Sequence, residues 1–237
     1  MIIIILLLFY VIIYMDGGKM KDKILLFIPM YNCEKQVPRV LSQLEGNCKN
    51  YFNEIIVVNN RSTDNGEKKV MEYAKKHPEL PIKLLRNDEN YGLGGSHKVA
   101  FNYAIKNKYD YVVVLHGDDQ GNIHDFMKLL EERTYKDYDC VLGARFMKGS
   151  QLINYNKLRI WGNYGFNTLF SLAVHKSIKD LGSGLNMYKV STLKSKYFMN
   201  KFALAKESSG WLFADTKISI AISSLDILAI FFASFAT

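Results

Sequence analysis

Apolar runs of strand length recur between residues 24 and 143, at Ile24–Pro29, Glu54–Asn59, Ile82–Leu85, Tyr109–Leu115 and Asp139–Gly143. The strongest are dense in Ile, Val and Leu, the pattern of strands buried on both faces of a parallel sheet. The stretches between them predict helices near Val37–Leu44, Asp64–Lys76, Ser96–Lys106 and His124–Glu132. Ser62-Thr63-Asp64 offers a helix start, and Pro78 with Pro81 stops that helix before the next strand. Alternation at this spacing predicts βαβ units, hence an α/β domain with a doubly wound, mostly parallel sheet and flanking helices. Past Gly143 the alternation gives way to longer helical segments such as Leu158–Val174.

The apolar runs end in polar clusters, at the sheet edge where open α/β folds bind ligands. Tyr111-Val-Val-Val-Leu115 runs into His116-Gly117-Asp118-Asp119-Gln120. Carboxylates there suit a divalent metal, Mg²⁺ or Mn²⁺, which takes one or two carboxylates plus substrate phosphates; the plainer alternative is an acidic surface turn. After the first strand come Pro29-Met30-Tyr31-Asn32-Cys33-Glu34, where Tyr31 can stack on a base or ribose and Asn32 can fix the loop. After the second come Asn59-Asn60-Arg61-Ser62-Thr63-Asp64, whose short side chains either accept hydrogen bonds from a nucleoside or cap the next helix. Gly92-Leu-Gly94-Gly95-Ser96-His97-Lys98 can turn backbone N–H groups toward a phosphate, although Lys98 also reads as a helix-surface lysine. Arg145, just past the fifth strand, can pair with phosphate oxygens on the same edge.

Composition narrows the class. A length of 237 residues, 49% hydrophobic and 23% charged, suits one large globular α/β domain. Three cysteines without CxxC spacing read as reduced thiols, not a disulfide framework or a zinc site. The net charge of +8 sits in the second part: residues 1–143 balance 19 Lys/Arg against 19 Asp/Glu, while 144–237 hold 12 against 4. Such an excess favours anionic partners or is a solvated lysine-rich face. Basic residues do not interleave with aromatics on a recognisable module, which argues against nucleic acid.

Both ends are apolar. Met1–Met15 carries no charge and precedes Lys19, Lys21 and Lys23. It is shorter than the roughly 20 residues of a spanning helix and lacks the basic start of a signal peptide. Two readings stand: an anchor that leaves the following residues in the cytoplasm, or a stretch upstream of a true start at Met20. Ile218–Thr237 is apolar but holds Asp226, costly in mid-membrane. The expected division is an apolar segment 1–19, a domain over 20–205 and an atypical apolar tail over 206–237.

Taken together, Ile28-Pro-Met-Tyr-Asn32, Val57-Val-Asn-Asn-Arg-Ser-Thr-Asp64, Asn90-Tyr-Gly-Leu-Gly94, His116-Gly-Asp-Asp-Gln120, Gly143-Ala-Arg-Phe146 and Asp180-Leu-Gly-Ser-Gly184 resemble family 2 glycosyltransferases of the GT-A fold. The resemblance is greatest to the dolichyl/polyprenyl-phosphate sugar synthase branch and covers about residues 23–200 in the expected order. It implies a Rossmann-like GT-A domain, a nucleotide-sugar donor, a divalent metal and inversion at the anomeric carbon. By position it assigns Pro29, Tyr31 and Asn60 to the nucleoside pocket, joined on the donor side by Asn32, Glu34, Ser62, Asp64, Gly92, Lys98 and Gly117. Asp118, flanked by His116, Asp119 and Gln120, would hold metal and diphosphate; Arg145 would bind diphosphate or acceptor phosphate; Asp180 would lie near the sugar or acceptor. The chain departs from the family pattern at Asn59, Asn60 and His116, where relatives often have acids, and at Cys33. The implied acceptor is a polyprenyl phosphate at the cytoplasmic membrane face, to which the protein is peripheral or anchored. The alternatives are a saccharide acceptor in cell-surface polysaccharide synthesis, with Asp180 as base, or a nucleotide-sugar-binding protein that has lost catalysis.

Overall fold

The structure, a computed structural model, describes residues 22–145, 157–175, 177, 179–180 and 183–194. The apolar ends and the division at 19/20 and 205/206 lie outside the described residues. Six strands form one sheet: β1 (Ile24–Met30), β2 (Glu54–Asn59), β3 (Ile82–Arg86), β4 (Tyr111–Leu115), β5 (Cys140–Leu142) and β6 (Leu185–Lys189), in spatial order β3-β2-β1-β4-β6-β5. The pairs β1–β2, β2–β3 and β1–β4 are parallel. β6 is antiparallel to both β4 and β5, so the sheet is mostly parallel with one reversed strand. The sequence reading did not anticipate β6, which separates β4 from β5.

Alternation along the strands explains why they read as continuous apolar runs. Ile24, Leu26 and Ile28 of β1, with Val57, Val113 and Met187, pack under α1 (Val37–Ser42), α2 (Gly66–Lys76) and α4 (Met127–Glu132). Leu25 and Phe27, with Ile56, Val58, Val112, Val114 and Tyr188, pack under α3 (Gly92–Lys106) and α6 (Val190–Leu193). All seven β1 residues are buried, at about 1.5–3 kcal/mol for each large apolar side chain. The long helix expected near Leu158–Val174 is α5 (Lys157–Val174).

Helix starts shift from the expected bounds. α2 begins at Gly66, not Asp64, and α3 at Gly92 and not near Ser96, so the glycine run opens that helix. The helix expected at His124–Glu132 divides into a 3₁₀ turn, Ile123–Phe126, and α4. Strand order reverses beside β1: the chain builds outward through β2 and β3, then returns to place β4 on the other side of β1. That switch point opens a crevice at the carboxyl ends of β1 and β4.

Candidate active site

Glycine fixes the floor of the crevice. The Gly117 N–H donates to the Pro29 carbonyl at 3.1 Å, and a Cβ on Gly117 would lie 2.8 Å from that same oxygen. Backbone meets backbone there, so a side chain would force the ends of β1 and β4 apart. The His116 N–H donates to the Gly184 carbonyl at 2.9 Å, and a Cβ on Gly184 would touch the His116 ring at 3.1 Å. The imidazole therefore lies against the start of β6.

Around this floor is a cavity of about 350 Å³, lined by Pro29, Tyr31, Asn60, Gly92, His116, Gly117 and Asp118 among others. These seven sequence-derived candidates are thus brought together. Tyr31 is half exposed at the rim. Cys33 forms part of the wall; burial first, then the charges of Asp118 and Asp64, push its thiol above the usual range, so it stays protonated.

Asn60 occupies a tightly bonded position. Its Oδ1 accepts from Asn87 Nδ2 at 2.8 Å and from the Tyr91 N–H at 2.9 Å, and its Nδ2 donates to Asn90 Oδ1 at 2.6 Å. Asn90 Oδ1 also accepts the Gly92 N–H, so backbone donors at both ends fix the orientation of the amides. Both oxygen lone pairs of Asn60 are used. The asparagine therefore does not offer the cavity the acceptor that its sequence position suggested. Asn87 and Ser96 complete this network; Asn90 and Ser96 stand in segments quoted from the sequence but were given no role there, and Asn87 was not singled out.

Four other candidates bond to one another. The Asn32 N–H donates to Ser62 Oγ at 3.0 Å, and Asn32 Oδ1 accepts the Thr63 N–H at 2.9 Å. Asp64 accepts the Glu34 N–H at 2.7 Å and the Gly66 N–H at 3.0 Å, while Glu34 accepts the Asn65 N–H at 2.9 Å. Asn32, Glu34, Ser62 and Asp64 staple the loop after β1 to the loop after β2; Asp64 accepts the Gly66 N–H in a local turn, while the N-cap position of α2 is held by Asn65. Lys98 lies on α3, half buried and outside the cavity lining.

The acidic cluster divides. Asp118 faces the cavity, and its Oδ1 accepts the Gln120 N–H at 3.2 Å. Asp119, at φ +64°, turns the other way: Arg39 Nε donates to it at 2.6 Å and Gln43 Nε2 at 3.3 Å. Its carboxylate thus fastens the loop to α1 and does not join Asp118. Gln120 is exposed and outside the cavity lining. Burial lowers the His116 pKa, opposed by Asp118 and reinforced by the positive field of Arg145, so the ring is neutral at pH 7 and can donate a nitrogen lone pair.

Among the described residues no three His, Cys, Asp or Glu side chains converge to hold an ion. The donor set facing the cavity is one carboxylate and one neutral imidazole. That fits a hard cation that arrives with its phosphates and completes its coordination from them.

Arg145 and Asp180 find each other. Arg145 donates to Asp180 Oδ2 from its backbone N–H and from Nε, both at 2.8 Å, and from Nη2 to Oδ1 at 3.0 Å. The Asp180 side chain is fully buried, and such a two-pronged pair is strong and directional. Asp180, expected near the sugar or acceptor, holds Arg145.

Comparison with known proteins accords with this architecture. The family model described as "Glycosyl transferase family 2" matches residues 26–195. An uncharacterized protein of Methanocaldococcus jannaschii, MJ0544, is 31% identical over 184 residues, covering 75% of this chain and 76% of that protein. The UDP-N-acetylglucosamine--dolichyl-phosphate N-acetylglucosaminyltransferase of Methanococcus voltae is 26% identical over 186 residues, covering 74% and 73%. Glucosyl-3-phosphoglycerate synthase from Mycobacterium tuberculosis, solved with Mn²⁺, UDP and glucosyl-3-phosphoglycerate, superposes with a TM-score of 0.54 at 14% identity, over 73% of this chain and 58% of that one. At that identity the likeness is one of fold, the GT-A fold. The family match runs from β1 through α6 and takes in the whole crevice; the chain belongs to the family 2 glycosyltransferases.

Proposed function

We propose that the protein transfers a sugar, with inversion, from a nucleoside-diphosphate sugar to a polyprenyl phosphate at the cytoplasmic membrane face. The observation that carries the reading is the crevice at the β1/β4 switch point, where Asp118 and a neutral His116 share one cavity. Family membership and the dolichyl-phosphate-dependent M. voltae relative support the acceptor class.

In this reading Tyr31 and the Asn60 network receive the nucleoside, and Asp118 with His116 faces its diphosphate. A divalent cation, Mg²⁺ or Mn²⁺, would be held by Asp118, His116 and the donor phosphates, and would offset negative charge on the leaving diphosphate. Arg145 supplies fixed positive charge at the same edge. An acceptor phosphate oxygen attacks the anomeric carbon from the face opposite the diphosphate; the new C–O bond forms as the bond to the diphosphate breaks, and the nucleoside diphosphate leaves. A phosphate acceptor is already an anion and needs no strong base, whereas a sugar hydroxyl does. The engagement of Asp180 by Arg145 therefore favours the phosphate acceptor over the saccharide one.

The test is release of nucleoside diphosphate from UDP-, GDP- and dTDP-sugars with Mn²⁺, with and without polyprenyl phosphate. Asp118→Ala should lower turnover by roughly 10²–10³, as loss of one charge-stabilising group does. Turnover unchanged in that variant would sink the assignment. Tight nucleotide binding without turnover in the parent would identify a binding protein instead.

A further inference from the structure

The most exposed apolar surface among the described residues is one side of α5. Trp161 is 77% exposed, Leu172 68%, Leu169 61% and Tyr164 49%. At 100° per residue these four fall within one stripe of the helix, together with exposed Gly165 and Thr168. The opposite side packs inward, with Asn167 buried and Phe166 stacked on Phe170 at 5.9 Å. From Ile160 to Val174 there is no charged residue, so the stripe lacks the charges with which a helix ordinarily faces water.

In the sequence, the charge on either side of the stripe has one sign. Between Cys140 and Lys179 the sequence contains Arg145, Lys148, Lys157, Arg159, Lys176 and Lys179, and no Asp or Glu. An uncharged apolar stripe with tryptophan, bordered in the sequence by basic residues, has the composition that suits an anionic lipid surface, where rings and leucines enter the headgroup boundary. No helix among the described residues is long and apolar enough to cross a membrane, so the geometry is one of lying on the surface. The inner side of α5 is bonded to the site: Asn167 Nδ2 donates to the Lys179 carbonyl at 2.9 Å, and the next residue, Asp180, holds Arg145.

Resting on the lipid-phosphate reading above, we infer that α5 is the membrane-docking element, laying its Trp161–Leu172 side on an anionic bilayer and setting the Arg145 edge of the crevice against the lipid headgroups.

Flotation of the full chain with phosphatidylcholine vesicles, with and without phosphatidylglycerol, tests this. The chain should bind the anionic vesicles, weaken as salt is raised, and bind neutral vesicles poorly. The double variant L169Q/L172Q should lose about a hundredfold in affinity, roughly tenfold per leucine removed from the interface, while its thermal melt and nucleoside-diphosphate affinity stay as in the parent. Thr168→Glu puts one negative charge in the stripe without removing an apolar group. It should weaken anionic binding even where the double variant folds poorly. Trp161→Phe should keep binding yet lose most of the vesicle-induced blue shift.

Equal binding by the parent, L169Q/L172Q and Thr168→Glu would overturn the assignment to α5. So would a parent that ignores vesicles and forms dimers that the leucine variant abolishes, because the stripe would then be covered by a second copy. Vesicle binding is read without sugar transfer. A chain that floats but transfers nothing contradicts the transferase reading alone, and one that transfers to a short soluble acceptor but never floats contradicts the docking role alone.

Discussion

Asp180→Asn separates two roles for the same carboxylate. In the structure Asp180 accepts three hydrogen bonds from Arg145, at 2.8, 2.8 and 3.0 Å, and its side chain is fully buried while that of Arg145 is 16% exposed. The substitution keeps size and shape but removes the charge, and one amide prong now points a donor at a donor. Removing one partner of a buried pair costs about 3–5 kcal/mol; residual exposure of the guanidinium favours the lower end. At roughly 2–4 °C per kcal/mol for a domain of this size, Tm should fall by about 6–12 °C. With Arg145 released, KM for the donor should rise more than kcat falls, and the pH profile of kcat should keep its shape. A general base would behave differently: kcat would drop by about 10²–10⁴ and the base's limb of the pH profile would vanish. Thermal melts beside initial-rate kinetics decide it. A variant that melts like the parent and has lost turnover a thousandfold refutes the positioning role.

Gly117→Ala should cost about 1–3 kcal/mol and weaken nucleotide binding, since the new methyl meets the Pro29 carbonyl at 2.8 Å; melting and nucleotide titration check both. Asp119→Asn should change Mn²⁺-dependent nucleotide affinity by less than about fivefold, because its exposed pair with Arg39 is worth about 1 kcal/mol at most. Asp118→Asn should cost more than that, and equal losses in the two variants would place both carboxylates on the metal. Asn60→Asp sets a carboxylate oxygen where Nδ2 donates to Asn90 Oδ1 at 2.6 Å, acceptor against acceptor, so it should cost about 1–3 kcal/mol, which melting checks. Burial lowers the His97 pKa to about 4, below its ordinary 6.5, so the unfolded chain binds this proton more tightly than the folded one. The stability tied to it is whole above pH 6.5 and is lost as pH falls toward 4, on the order of 3 kcal/mol in all; melts at pH 7 and pH 4.5 should show it, and His97→Gln should flatten the dependence.

The parts of the fold legible from sequence are those whose environment is the same on both sides. β1, β2 and β4 are buried under helices on each face, so nearly every position is apolar and the run announces itself. β6 is buried as well, yet Leu-Asn-Met-Tyr-Lys mixes polar with apolar, and what makes it a strand is its antiparallel place between β4 and β5. Close approaches at Gly143 and Gly184 admit that strand, and such approaches are set by partners remote in the chain.

The site divides on the same principle. Sequence order located the polar edge, because strand ends recur at regular spacing. It did not say which polar atoms face the ligand, because each loop first satisfies its own backbone donors. Asp119 pairs with Arg39 and Asp180 with Arg145, pairings that only the folded chain creates. Asn32, Glu34, Ser62 and Asp64 are consumed in the same way by the stapling of two loops. Asp118 differs because its bond comes from the Gln120 N–H two residues on, a local turn that leaves the residue in the cavity lining. Of the two adjacent acids, the one anchored by a local turn lines the cavity, and the one anchored at long range fastens the loop to α1.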